Sequence, residues 1–243
     1  MMGDVTVDGR DRRVAPGSEG VSPSCVRNDG EGETPSFPGG SRERPRLERD
    51  VPHSRNAPLT FRAVDRDSWD DLARLFQSRG GPKHCWCMVW RATPEEAKRT
   101  DGASRRAALE RRVQAGVPVG ILGYLEGQPV AWCSIAPRPT YRRLGGIDDP
   151  AEDPETVWSL ACFFIARWQR GRGLMRQLIE AAVAHARAGG ATVVEAYPVD
   201  PDAPSYRFMG FRPSFEAAGF QQVGRAGSRR HVMRLRVGPD CVG

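Results

Sequence analysis

Four consecutive residues, Arg170-Gly171-Arg172-Gly173, put two guanidinium groups and two glycines after a continuous apolar run, Val157–Ile165, and before a helical pattern. The first amides of a helix lack internal partners, and its N-terminus carries partial positive charge. Glycine, without a Cβ, lets a phosphate approach the backbone, and arginine adds charge at the same place. Such a turn can cradle a pyrophosphate, although its local geometry equally suits a plain tight connection. Spacing removes two familiar alternatives. There is no Gly-x-x-x-x-Gly-Lys-Ser/Thr for a P-loop, and no Gly-x-Gly-x-x-Gly for a dinucleotide fingerprint.

Other chemistry-bearing residues are scattered. Glu195 falls in an apolar strand pattern, where it is either a proton acceptor or one half of an ion pair. Asp200 and Asp202 follow in a Pro-rich loop, as contacts for a cationic ligand or as turn residues. His84, Cys85 and Cys87 lie close together, but no second ligand pair follows at a usual distance, so no metal is expected. Cys162, inside the apolar run, has no sequence-adjacent base and reads as an inert buried thiol.

The stretch Phe163-Phe164-Ile165-Ala166-Arg167-Trp168-Gln169-Arg170-Gly171-Arg172-Gly173-Leu174 resembles the acetyl-CoA motif of the GNAT N-acetyltransferase superfamily, Arg/Gln-x-x-Gly-x-Gly/Ala at the end of the fourth strand. Arg170 and Gly173 match its first two fixed positions, and Met175 departs from the third. Phe215–Phe220 is similar to the family's Tyr-x-x-x-Gly-Phe ending, with Phe215 in place of Tyr. His84–Arg91, Trp158–Ile165 and Tyr197–Pro201 resemble one bacterial group of unassigned substrate.

The resemblance implies a set of roles. The main chain of Phe163 and Ile165, with Phe164 between them, would hold the pantetheine arm. Arg170, Gly171, Arg172, Gly173 and Leu174 would hold the pyrophosphate, and the thioester would lie where the fourth and fifth strands part. Amine attack on a thioester needs a proton acceptor, donors for the developing oxyanion and a proton for the thiolate. Glu195 is the candidate base; Tyr206 and Tyr197 are candidates for the acid that Phe215 cannot be. Trp86, Met88 and Trp90 belong to the segment that usually lines the acceptor site, and are either acceptor-binding or ordinary core residues. The implied activity is acetyl transfer from acetyl-CoA, as cosubstrate and without a metal, to a primary amine on a small molecule in a ternary complex. The alternative is a non-catalytic acyl-CoA sensor.

The elements that must position these residues read in order as a strand (59–64), two helical stretches, a hairpin (118–125 and 129–136), a long polar connection (137–155), strand–turn–helix–strand through Tyr197, a short helix and two closing strands. That order gives an α/β fold, a GNAT-like mixed twisted sheet of six to seven strands flanked by helices. Residues 1–56 are rich in Gly, Pro, Ser, Arg and acids and cannot bury enough apolar surface to order themselves. The expected organisation is a disordered tail at 1–56, a domain at 57–238 and a short tail at 239–243. The N-terminal tail reads as a regulatory arm or as sequence upstream of a misassigned start.

The net charge is +6, and the basic residues are nearly all Arg, with Lys83 and Lys98 the only lysines. That skew looks like base composition, and no helix-turn-helix, zinc finger or RNA-binding aromatic pattern accompanies it, so no nucleic-acid partner is expected. The N-terminus lacks a basic region followed by an apolar one, so no secretory leader is expected; no apolar stretch reaches membrane length, and the six cysteines are scattered. These features point to a cytoplasmic monomer or homodimer with free thiols.

Overall fold

The molecule, a computed structural model, is described here over residues 59–238; the expected tails, with Cys25 and Cys241, lie outside the described residues. The chain opens with β1 (Thr60–Ala63) and α1 (Trp69–Gln77), whose Trp69, Leu72, Leu75 and Phe76 recur at helical spacing and are buried together. Asp67, a residue type that often caps helices, does not cap α1. Ser68 is the N-cap and bonds back to Asp65 through its amide and hydroxyl, at 2.9 and 2.8 Å, so neither side chain caps α1. Asp70 and Asp71 in the first turn complement the helix dipole instead.

Thr93 and Glu96 form a capping box at the head of α2 (Pro94–Ala97). Asp101-Gly102 marks a second helix start. Asp101 accepts from the Ser104 amide at 2.7 Å and opens α3 (Gly102–Gln114).

Strand β2 (Ile121–Leu125) begins three residues later than its apolar pattern suggests, because the preceding carbonyls have other partners. Gly120 O accepts from the Val64 amide, and Val119 O from Arg91. Then come β3 (Gln128–Pro137), β4 (Val157–Ile165), α4 (Leu174–Ala188), β5 (Val193–Ala196), α5 (Arg212–Glu216), β6 (Gln221–Ala226) and β7 (Arg230–Arg236).

The seven strands form one mixed sheet in the order β1-β2-β3-β4-β5-β7-β6, antiparallel except between β4 and β5. Its central strands are buried on both faces, which explains their unbroken apolar runs. Trp132 on β3 turns to Phe76 of α1, whereas Phe163, opposite the adjacent Cys133, turns to Phe215 of α5. Helices therefore cover both faces.

The long polar connection between β3 and β4 is fastened to the sheet. The Ile147 amide donates to Glu195 at 3.2 Å, Ile147 O accepts from Arg234 at 2.8 Å, and Leu144 O accepts from Arg230 at 2.8 Å.

Candidate active site

The site begins at a fault between two strands. In the β3–β4 ladder, Ser134 pairs with Cys162 and Ile135 with Leu160, so Ala161 bulges out unpaired. A bulge bends its strand and increases local twist. The parallel β4–β5 pairing ends at the same point, with Leu160 opposite Ala196. Beyond it, β4 continues to Ile165 against β3 alone, while the other chain leaves through Pro198, which has no amide to offer a ladder, and Val199 bridges to Phe211 and Arg230. The strands part, and a cavity of about 690 Å³ opens along the exposed edge of β4. Cys162, Phe163, Phe164 and Ile165 form one wall, Cys85, Cys87 and Trp90 another, and Phe208 and Phe211 a third.

The cavity runs to the basic turn through Arg170 and Met175, both on its lining. Gly171 and Gly173 have φ of +78° and +75°, the left-handed region that favours glycine. A Cβ on either would meet no atom within 4 Å, so open space rather than protein faces the turn. Gly173 is the N-cap of α4 and has no side chain to satisfy the first amides. Arg170 Nε is held by Ile165 O at 3.0 Å, which fixes its guanidinium at the cavity mouth. Met175, the departure from the motif, lies one residue inside the helix and is part of the wall.

Trp90 reaches the cavity because its neighbour is anchored. Arg91 is a buried cation that donates to Val119 O at 2.8 Å, Tyr141 Oη at 2.6 Å and Ser134 Oγ at 3.1 Å, and it stacks on the Tyr141 ring. Burial lowers its pKa from the usual arginine value. The Arg142 amide holds Trp90 O at 2.7 Å. Trp86 and Met88, expected beside Trp90, do not line this cavity. Both are buried, and Trp86 packs against Trp69 and Phe76. Trp86 and Cys87 have consecutive positive φ angles, +47° and +52°, so the chain does not keep strand alternation through this segment.

Cys87 Sγ lies 3.2 Å from Cys162 Sγ and accepts from Trp132 Nε1 at the same distance. The Cys162 sulfur and burial together push the Cys87 thiol well up, and its bond with Cys87 followed by burial pushes Cys85 up. Neither suits a thiolate nucleophile. Among the described residues, no group of three or more His, Cys, Asp or Glu side chains is arranged to hold a metal ion.

Glu195 lies outside the cavity lining. It is fully buried and occupied: Arg234 Nε donates at 2.7 Å, the Ile147 amide at 3.2 Å, and the Tyr197 hydroxyl also donates. Of the two alternatives that the sequence leaves open for Glu195, the ion pair is the one present in the structure, with Arg234. Tyr197 is fully buried, and its hydroxyl is raised well above its ordinary value, by burial first and by Glu195 next. Asp200 is engaged by His231 Nε2 at 3.0 Å and by Arg212 at 3.2 Å.

Tyr206 is placed differently. It has φ of +60° and packs between Trp90 and Phe208, with ring centroids 6.4 and 6.2 Å away, directly behind the cavity wall. Arg207 and Phe208, in a single 3-10 turn (Arg207–Met209), and Phe211, the N-cap of α5, carry no periodic signal in the sequence.

The family model described as the acetyltransferase (GNAT) family matches residues 69–211. Among solved structures, the chain is similar to an aminoglycoside acetyltransferase in complex with coenzyme A (18% identity, 74% of this chain and 95% of that one, TM-score 0.48). It is also similar to a ribosomal-protein-alanine N-acetyltransferase from Brucella melitensis (19%, 73% and 99%, 0.45) and to an acetyltransferase from Streptococcus pneumoniae (14%, 74% and 100%, 0.45). No curated protein matches it. The matched residues span more than half of the 243 and take in β4, the parting of the strands and the glycine turn, so the chain belongs to the GNAT acetyltransferase family.

Proposed function

We propose that this chain transfers the acetyl group of acetyl-CoA to a primary amine of a small molecule. The observation that carries the reading is the continuity of the cavity, from the parting of β4 and β5 at Ala161 to the open glycine turn before α4. The turn fits a pyrophosphate: Gly171 and Gly173 present backbone to open space, the first amides of α4 have no capping side chain, and Arg170 and Arg172 add charge. The edge of β4 that β5 abandons supplies backbone groups at Phe163 and Ile165 for an amide-bearing arm. Phe164, Phe208 and Phe211 give that arm apolar walls that exclude water.

Bound acetyl-CoA supplies an activated acyl carbon and a thiolate leaving group. The residues of this chain orient the amine beside it. Trp90 and the thiols of Cys85, Cys87 and Cys162 surround the cavity where the strands part. Among its lining residues there is no carboxylate or imidazole, so the amine proton leaves through water. Tyr206 stands outside the lining but packs on its Phe208 and Trp90, and its hydroxyl makes no hydrogen bond to the described residues; we assign it as the proton donor for the thiolate.

The same absence of a carboxylate or imidazole from the lining favours one competing reading, an acyl-CoA sensor without turnover. Free-thiol release from acetyl-CoA over a panel of amines, together with calorimetric binding of CoA, separates the two. CoA binding with amine-dependent thiol release is expected. Binding without release from any amine would leave the sensor, and no binding at all would overturn both.

A further inference from the structure

We propose that the amine acceptor carries a carboxylate and that Arg230 reads it; this rests on the acetyltransferase reading above. Arg230 opens β7. Its guanidinium lies against two rings, 4.6 Å from the centroid of Trp90 and 5.4 Å from that of Tyr206. One nitrogen, Nη1, donates to Leu144 O at 2.8 Å. The remaining nitrogens make no hydrogen bond to the described residues, and none of their Asp or Glu side chains lies within 4.0 Å.

The contrast with other arginines is direct. Arg234, four residues further along the same strand, is bound by Glu195 and Glu152; Arg112 is bound by Glu96, and Arg212 by Asp200 and Glu216. Arg91, more deeply buried, spends its donors on carbonyls and hydroxyls. Arg230 is half-buried with one nitrogen on a carbonyl and no carboxylate partner among the described residues, and burial lowers its pKa, as expected of a cation that has lost water without gaining an anion. A guanidinium lying against two rings, with one nitrogen on a carbonyl, keeps its other N–H groups for a planar, two-point partner, which a carboxylate matches.

Position gives the group its role. Trp90 lines the acyl cavity, and so does Phe208, which packs on Tyr206; Arg230 is thus one aromatic layer from the place where the strands part. Leu144, whose carbonyl it holds, lines a second pocket of about 290 Å³ with Arg138, Arg142 and Arg143. The acid on that lining, Asp148, is already bound to Arg143 at 2.7 Å. An acceptor entering from this side meets a positive field and leaves its anionic end at Arg230 while its amine passes Trp90. Polyamines and polycationic amines are repelled by the same field.

The test compares amino acids with their own carboxamides on the wild-type protein, reading thiol release from acetyl-CoA. Spermidine is the polycationic control, and saturation-transfer NMR on the protein with and without CoA reads acceptor binding directly. Amino acids should exceed their carboxamides at least tenfold in kcat/KM, and Arg230→Gln should erase that ratio without changing the KM for acetyl-CoA. Equal or better use of carboxamides or spermidine overturns the proposal, as does a carboxylate preference that survives in Arg230→Gln. If no amine is acetylated, carboxylate-dependent NMR binding lost in Arg230→Gln still supports it, and the absence of such binding overturns it. Failure to bind CoA would count against the acetyltransferase reading instead, because NMR on the CoA-free protein reads the carboxylate separately.

Discussion

Glu195 and Arg234 stand opposite each other on β5 and β7, and Arg234 Nε donates to Glu195 Oε2 across the ladder at 2.7 Å. The same carboxylate holds the Ile147 amide, so one buried charge joins two strands to the connection between β3 and β4. Removing one partner of a buried pair leaves the other charge uncompensated, which costs about 3–5 kcal/mol. Glu195→Ala should lose that much in urea unfolding and should speed amide exchange at Ile147, while CoA affinity stays unchanged. A variant of normal stability that no longer turned over would return the carboxylate to proton transfer.

The positive φ angles of Gly171 and Gly173 give a second prediction. Forcing an L-residue into the left-handed region costs about 1–2 kcal/mol. Gly173→Ala should lose that stability and also weaken CoA binding at least tenfold, because its methyl group enters the space in front of the turn. Gly116→Ala is the control: its φ is +73° and the space beside it is equally open, but it follows α3, away from the cavity. Calorimetry should show stability lost in both variants and CoA affinity lost in one. Equal affinity loss would detach the turn from ligand binding.

Parts of this arrangement are legible in the chain, and the reason differs from element to element. Val157–Ile165 is one apolar run because both its faces are covered, and its observed bounds coincide with the run. The capping box at Thr93 and the second start at Asp101 follow from local hydrogen bonding that sequence spacing encodes directly. Non-local pairing is not encoded in that way. Nothing near Ala161 marks the bulge, which exists only against β3, and nothing near Glu195 names Arg234, 39 residues away. Trp86 and Trp90 look equivalent in a segment without regular periodicity. The left-handed angles at Trp86 and Cys87 accompany the turn that leaves one ring in the core and the other on the cavity.

Acid should weaken the α2–α3 corner. Hydrogen bonds from Arg112 above all hold the Glu96 carboxyl at about 2, below its ordinary 4.5, and Arg112 also donates to Arg91 O behind the cavity wall. A depressed folded-state pKa contributes stability that is fully present above the unfolded value and lost as pH falls through the folded one. That contribution should therefore fade between about pH 4.5 and about pH 2. In denaturant titrations across this window Glu96→Gln should show a shallower loss than the wild type. Parallel slopes would mean that the pair contributes nothing to acid sensitivity.

Cys162 tests whether the cavity thiols act chemically or only occupy space. Its sulfur meets Cys87, itself a thiol pushed well up, and no imidazole lines the cavity to activate either. Cys162→Ala should keep turnover within about threefold, the effect of a small packing change near the site (on the order of 0.6 kcal/mol). Cys162→Phe should abolish CoA binding by filling the gap where the strands part. Loss of activity in the alanine variant with CoA affinity intact would instead point to a covalent acyl-enzyme step.

The two tyrosines separate a structural hydroxyl from a reactive one. Tyr197 donates to Glu195 and lies 3.3 Å from Ser159 Oγ, deep in the sheet. Tyr197→Phe leaves a buried carboxylate oxygen short of a donor and should cost about 1–3 kcal/mol in stability with little change in kcat. Tyr206→Phe keeps the ring that packs on Trp90 and Arg230 and removes only the proton. Its stability should stay within about 0.5 kcal/mol of the wild type. Its kcat should fall about 100-fold, at the low end for a lost general acid, with the KM for acetyl-CoA unchanged. Full turnover in Tyr206→Phe would mean that the thiolate departs without a protein proton, a course its modest basicity allows, and would leave the hydroxyl outside the chemistry.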